Sequence, residues 1–556
     1  MIIDRLIDKV GNSNPQIFRE LKERLTLLNI GMAIAAAIVI QGLALLYFNG
    51  QIPVPMYDDT AIAGVSSHKL IQKYSTYCRF PNRENIYDNL CKLNETGNYL
   101  IDWQKWWSDV FTCLSWVLPL GLILGSVYML VADLVQEEKR GTLNFIRLSP
   151  QSARQIFIGK ILGVPIFVYL VAAAMLPLHL FVGITAGGSL PLLASWYVAI
   201  GSLWFLLSSA AVLYVLLGGI QAILTVIAIA YPICLPLIAI NNLTSATIDR
   251  AQWLSRGDYW SWFGLPVFGN AILFDTFGVG SCLVASYWIW QALERRYLNP
   301  TATTIGKSQS YLINLCLQIW IAGFALSFIA KFSFYPDGAI LRLAVMDFMT
   351  LLLLIPLLLP SKQALQDWSR HRRERVTDRH RQFWQRELVQ DLINNDKSPA
   401  LLAIAINIGM AMVLWTPISI IGFNPPANGV RCLAALCLAA SLILIYAAIA
   451  HLGLFLNVRK RNVWIMAILG GVILLPLVGA FILSPNHTPT GIAAIMLLFS
   501  PFASIGIMQL GGGTILAMFA TQLVMFAALT HQLQRQLRIS GRSQTKELTA
   551  NNLASL

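Results

Sequence analysis

The sequence predicts an all-α polytopic membrane protein of about twelve transmembrane helices, laid out as two six-helix pseudo-repeats with re-entrant segments. Three observations lead there. Of the 556 residues, 56% are hydrophobic and only 12% are charged, too few charges to cover a water-facing surface of this size. Apolar runs of about 20 residues, the length that crosses a hydrocarbon core about 30 Å thick, recur along almost the whole chain. Lys and Arg also divide unevenly between alternate connections. With the N-terminus inside, 29 of the 40 fall on the inner side and 11 on the outer side, a strong positive-inside bias that puts both termini in the cytoplasm. The net charge of +13 is therefore a topology signal, and no nucleic-acid partner is expected.

Residues 1–28 alternate as an amphipathic cytoplasmic interface helix, with Ile17, Phe18, Leu21, Leu25 and Leu28 opposite Arg19, Lys22, Glu23 and Arg24. This opening stretch is too long and too mixed in charge for the n-region of a cleaved signal peptide. A first half, 29–293, carries spans at about 29–48, 109–132, 156–182, 195–217, 219–240 and 279–293. Its long outer loop, 49–107, closes on Trp103, Trp106 and Trp107, residues favoured at a membrane interface. A cytoplasmic linker, 294–309, leads to a second half, 310–532, with spans at about 310–331, 338–360, 400–421, 429–452, 463–483 and 512–532. The cytoplasmic segment 361–398 interrupts that half, and 533–556 forms a basic cytoplasmic tail. The charge bias holds only if two Gly/Pro-broken stretches, 263–278 and 490–511, dip into the membrane and return.

Few residues suit catalysis. Gly306-Lys307-Ser308 matches the end of a phosphate-binding loop, but Thr301 stands where its first glycine belongs and no strand precedes it. His371 and His380 lack the spacing of metal ligands on one helical face, and His179 and His451 stand alone in apolar runs as structural histidines. No metal site and no enzymatic activity are expected. Charged groups inside spans are costly and so are pathway candidates, Asp347 first and Asp275 second. Lys160 is read as a snorkelling interfacial residue, and Asn407 as an interhelical hydrogen-bond partner. Cys78 and Cys91, both in the polar outer loop, are a disulfide candidate.

The stretch 133–160 is the most informative. A span ends, Gln136-Glu137-Glu138-Lys139-Arg140-Gly141-Thr142-Leu143 follows, and Leu148-Ser149-Pro150 breaks into the next helix. Residues 133–152 read as a short amphipathic helix along the inner membrane face. Glu-x-Arg-Gly-Thr-Leu, a following Pro, and Ile156-x-x-Gly159-Lys160 resemble the coupling-helix segment of type 2 ABC exporter permeases, and the layout of 1–293 is similar to theirs. The stretches RRYLNPTATTIGKSQSY and NDKSPALLAIAINIG resemble cyanobacterial permeases of this kind.

The resemblance implies a separate cytoplasmic ABC ATPase subunit, in two copies, docking on Glu137, Glu138, Lys139, Arg140, Gly141, Thr142 and Leu143. ATP would be bound by that partner, and this chain would hold no cofactor. It also implies a bacterial inner membrane, or a thylakoid, as the location. The usual family member has six spans, so this chain would be two fused halves. The second half lacks the Glu-x-Arg-Gly-Thr-Leu pattern and offers Arg386, Glu387, Ser398 and Pro399 in its place. The rival expectation is an ion-gradient-driven secondary transporter using Asp347 and Asp275.

Overall fold

A computed structural model describes residues 14–53, 57–58, 69–70, 77, 99–219, 221–248, 261–331, 337–374, 387–421, 426–458, 461–483, 491–500, 503–507 and 510–540. The chain is an all-α multi-pass membrane protein. Among the described residues ten helices are long and apolar enough to cross a bilayer, or eleven if a pair bent by 71° counts as one span. About twelve were expected; the fifth expected position, 219–240, falls on a 27-residue helix, Ala222–Ile248, outside the ten. The residues form two compact units, Met1–Tyr259 with Pro266–Trp290, and Trp260–Leu265 with Gln291–Leu556.

In the first unit, the interface helix expected over 1–28 lies outside the described residues up to 13 and is seen as α1 (Pro15–Arg24); Leu25 leaves helical geometry, and Thr26 caps the first span, α2 (Leu27–Asn49), by accepting from the Asn29 N–H. A two-residue hairpin pairs Tyr57–Asp58 with Lys69–Leu70 in the connection after α2. The central element is α3 (Trp103–Arg140), opened by the Asp102 cap. Leu114, Leu118, Ile123, Val127, Leu130 and Leu134 form its buried stripe at helical spacing. Its 38 residues give a length of about 57 Å, far beyond a hydrocarbon core, so the last turns project as a continuation of the span. That overturns the short surface helix expected over 133–152: only α4 (Thr142–Ile146) lies across the connection.

The third span is also divided. α5 (Ala153–Gly163) stops before Pro165, which lacks the N–H to continue it, and the apolar span is α6 (Ile166–Thr185). α7 (Leu190–Leu216) and α8 (Ala222–Ile248) complete the packing around α3. Buried polar contacts tie these helices together. His179 on α6 bonds Ser115 Oγ at 3.0 Å and Tyr197 OH at 2.6 Å, and Asn241 on α8 accepts from Trp196 and donates to the Ser115 carbonyl. His179 is thus the satisfied structural residue expected. The stretch 263–278 does not stay broken: after a single 3-10 turn, Val267–Gly269, α9 (Ala271–Leu298) runs unbroken through Gly278 and Gly280.

The second unit comprises α10 (Lys307–Lys331), α11 (Asp337–Leu358), α12 (Lys362–Glu374), α13 (Glu387–Asn394), α14 (Leu401–Ile421), α15 (Pro426–Gly453), α16 (Arg461–Leu483), α17 (Ile492–Leu497), α18 (Ala503–Ile507) and α19 (Gly512–Ser540). The bent pair is α11 and α12, so the chain turns sharply at Pro360-Ser361 into the charged segment. The stretch 490–511 holds α17 and α18, six and five residues, each far too short to cross. Among the described residues the hub here is α15, packed on α14 and α19, whereas α3, the second span, is the hub of the first unit. Among the described residues the two hubs thus hold different places in the order of spans. α19 continues helical to Ser540, into the expected tail.

Candidate functional site

Around the projecting end of α3 the chain assembles an ionic hub from three elements. Asn14 caps α1, accepting from the Gln16 and Ile17 N–H groups, and its Nδ2 donates to the Gln155 carbonyl of α5 at 2.8 Å. Gly159 and Gly163 then let α1 lie directly on α5. A Cβ at Gly159 would sit 2.6 Å from Gln16 Cβ, and one at Gly163 would sit 2.5 Å from Glu20 Cβ. This close crossing places Glu20, with a side chain only 3% exposed, beside Lys160.

From α3, Asp133 and Glu137 reach the same point, since residues four apart share a helical face. Lys160 Nζ lies 2.9 Å from Glu20 Oε1, 2.8 Å from Asp133 Oδ2 and 2.7 Å from Glu137 Oε1. Arg19 bridges Glu20 and Glu137 at 3.1 Å each. Arg24 contacts Glu20 at 3.3 Å and Asp133 at 2.5 Å. Three carboxylates therefore face three cations, which offsets the large cost of taking each from water. Burial pushes the Glu20 carboxyl up, but Lys160, Arg19 and Arg24 outweigh it and hold the group below its ordinary value. Burial likewise pushes the Lys160 ammonium down, and Asp133, Glu20 and Glu137 raise it above its ordinary value. The three carboxylates lie close enough together to hold a metal ion, but the Lys160 ammonium sits among them and does that work itself.

Beside the hub opens a cavity of about 450 Å³, also lined by Glu23, Arg140 and Thr142. The candidate coupling residues divide here. Glu137 belongs to the hub, and Leu143 is buried. Glu138, Lys139, Arg140, Gly141 and Thr142 are exposed at the end of α3. Gly141 sits at φ +74° as the C-cap, with nothing near its missing Cβ. Its glycine serves the left-handed turn. Thr142 Oγ1 donates to the Glu137 carbonyl, closing the same turn. Leu148, on the way to α5, is 83% exposed.

Sequence reasoning missed the hub itself. Lys160 does not snorkel: it is 1% exposed, ringed by carboxylates. The signals lay at Glu20/Arg24 and Asp133/Glu137, each four apart, and in the Gly159-x-x-x-Gly163 pattern. What sequence lacked was any sign that α1 docks on α5.

The other candidates lie elsewhere. Arg386, Cys78 and Cys91 fall outside the described residues, and Glu387 opens α13. Ser398 is buried and accepts from Lys307 Nζ at 2.6 Å; Pro399 offers its carbonyl to the same ammonium at 3.1 Å. The lysine of the phosphate-loop lookalike is thus spent on internal bonds, and Ser398-Pro399 is an internal anchor. Asp275, in the first turns of α9, accepts from Ser195 Oγ at 2.8 Å. Asp347 accepts from Gln318 Nε2 at 2.8 Å and Trp415 Nε1 at 2.6 Å, with no ion pair among the described residues. Asn407 bonds across helices as expected, donating to Ser310 Oγ. No protein-family model, curated protein or solved structure matches the chain.

Proposed function

We propose that the chain is the membrane-spanning subunit of an ABC exporter, set in the bacterial inner membrane with both termini in the cytoplasm. It forms the substrate pathway and carries no ATPase of its own. A separate cytoplasmic ATP-binding subunit docks on Glu138, Lys139, Arg140, Gly141 and Thr142.

One observation carries this reading: an exposed, charged helix end stands on a buried ionic brace. A push on Arg140 acts on α3, the hub of the first unit, and through Glu137 and Asp133 on α1 and α5. A loop that only connected two spans would have no need of such a brace. Exposed Leu148 adds an apolar contact at the rim. Alternating access then follows from tilting packed helices as rigid elements. Arg140→Glu tests the dock. In the purified complex it should uncouple ATP hydrolysis from transport with the protein still folded in the membrane; unchanged substrate-stimulated hydrolysis would defeat the reading. Native mass spectrometry tests the fusion: one copy of the chain with two ATPase subunits is expected.

A second reading, gradient-driven transport, is favoured by Asp347, a buried carboxyl without an ion-pair partner among the described residues. Transport that requires ATP and survives a collapsed proton gradient rules it out.

A further inference from the structure

The cavity of about 450 Å³ beside the ionic hub is lined by side chains of α1 and of the end of α3, with Lys160 from α5. Its charges fall into two sets. Lys160, Arg19 and Arg24 are spent on Glu20, Asp133 and Glu137, so that set is neutral and held together by its own ion pairs. Glu23 on α1 and Arg140 on α3 are the remainder, both exposed and both lining the cavity. Among the described residues neither has an ion-pair or hydrogen-bond partner. One helix thus offers a free carboxylate, and the other a free guanidinium, to the same space.

That pattern selects among ligands. A lone anion on Arg140 leaves Glu23 unmet, and a lone cation on Glu23 leaves Arg140 unmet. A zwitterion meets both and adds no net charge to a cavity that holds none. The level of the cavity narrows the class further. α3 carries no charged residue from Val110 to Ala132, and charges resume at Asp133. Asp133 to Arg140 then covers about 11 Å of helix, while headgroups occupy about 5–8 Å on each side of a hydrocarbon core. On α1, Glu23 stands just before Leu27 and Leu28, which open the first span and are 80% and 72% exposed. The cavity is therefore level with phospholipid headgroups, with apolar side chains next to it for acyl chains.

We propose that this cavity binds the head of a zwitterionic phospholipid, its primary ammonium donating to Glu23 and its phosphate accepting from Arg140. A carboxylate takes a primary ammonium through a charge-assisted N–H···O bond, which a choline head, having no N–H, does not form. The guanidinium fork meets phosphate oxygens with paired N–H donors. Arg140 also belongs to the proposed dock, but the lipid site does not rest on that reading, because lipid binding is read without an ATPase subunit.

The test is native mass spectrometry of the full chain, delipidated in detergent and offered equal amounts of phosphatidylethanolamine, phosphatidylcholine and phosphatidylglycerol with matched acyl chains. The ethanolamine lipid should be retained about tenfold more than the choline lipid, the factor of one hydrogen bond to a charged group. Glu23→Gln should level those two lipids, and Arg140→Gln should lower the retention of both. Both side chains are exposed, so neither change disturbs the packing. Asp367→Asn, at an exposed carboxylate of the second unit, shifts the net charge as Glu23→Gln does and should leave the preference intact. Equal retention of ethanolamine and choline lipids by the wild type overturns the proposal. So does a preference that survives Glu23→Gln, or retention unmoved by Arg140→Gln. Phosphatidylglycerol held more strongly than phosphatidylethanolamine would make this an anion site and overturn it as well.

Discussion

Replacing Lys160 with Met removes the ammonium that three carboxylates share and leaves the helix it sits on apolar and intact. The hub then holds Arg19 and Arg24 against Glu20, Asp133 and Glu137, two cations against three anions. Removing one partner of a buried pair costs about 3–5 kcal/mol, because the other charge stays desolvated. The two arginines still reach Glu20, so the lower end applies, about 3 kcal/mol. That cost falls on the docking of α1 against α5 and α3. Hydrogen exchange of the Ile17–Leu21 amides, against α3 amides around Ile123–Leu130 as the internal standard, should accelerate roughly a hundredfold. The double variant Lys160→Met with Glu20→Leu returns the balance to two against two with apolar fill, and should recover to within about tenfold of wild type. Less than a threefold change in the single variant, or a double variant that exchanges faster than the single, would refute the reasoning.

Other expectations follow from the same geometry. Glu20 is held below its ordinary value of 4.5, so its contribution is complete above that pH and is lost as pH falls through the lower folded value. Lys160 is held above 10.5, so its contribution is complete below that pH and is lost as pH rises through the higher folded value. The protection of the α1 amides, taken relative to the intrinsic exchange rate at each pH, should therefore be flat between these limits and fall outside them; a step near pH 7 would contradict the assignment. Gly163→Leu drives a side chain into Glu20 and should undock α1 by about 1–3 kcal/mol, read as proteolytic cleavage within 15–24 that the wild type resists. Gly141→Val forces a β-branched residue into a left-handed turn, at a cost of about 1–2 kcal/mol, and should lower the melting temperature. Single-cysteine labelling should find Arg140, Arg373 and Arg538 reactive from the cytoplasmic side and position 78 from the outside; external reactivity within 361–398 would overturn the topology.

The sequence by itself determined the solvent of this protein and the rhythm of its chain. Twenty-residue apolar runs and a lopsided Lys/Arg distribution respond to bilayer thickness and membrane charge, and both are properties of a linear string. The helices at 27–49, 190–216, 401–421 and 461–483 were legible for that reason. Element ends near prolines and glycines were less so. The stretch ending at Gly278 reads as broken, yet α9 runs helical through Gly278 and Gly280, while Gly141 ends α3 through a positive φ that composition does not display. What only the tertiary structure decided is the company each charge keeps. Glu20, Asp133 and Lys160 are separated by 113 and 27 positions, and no local spacing announces that Gly159 and Gly163 would admit α1 to their side. The same holds for Asp347, whose carboxyl accepts from Gln318 and Trp415 on two other helices. Local pattern sets where a helix lies, because hydrophobicity acts residue by residue. The pairing of buried polar groups is set by close packing, because an ion pair or hydrogen bond exists only at contact distance.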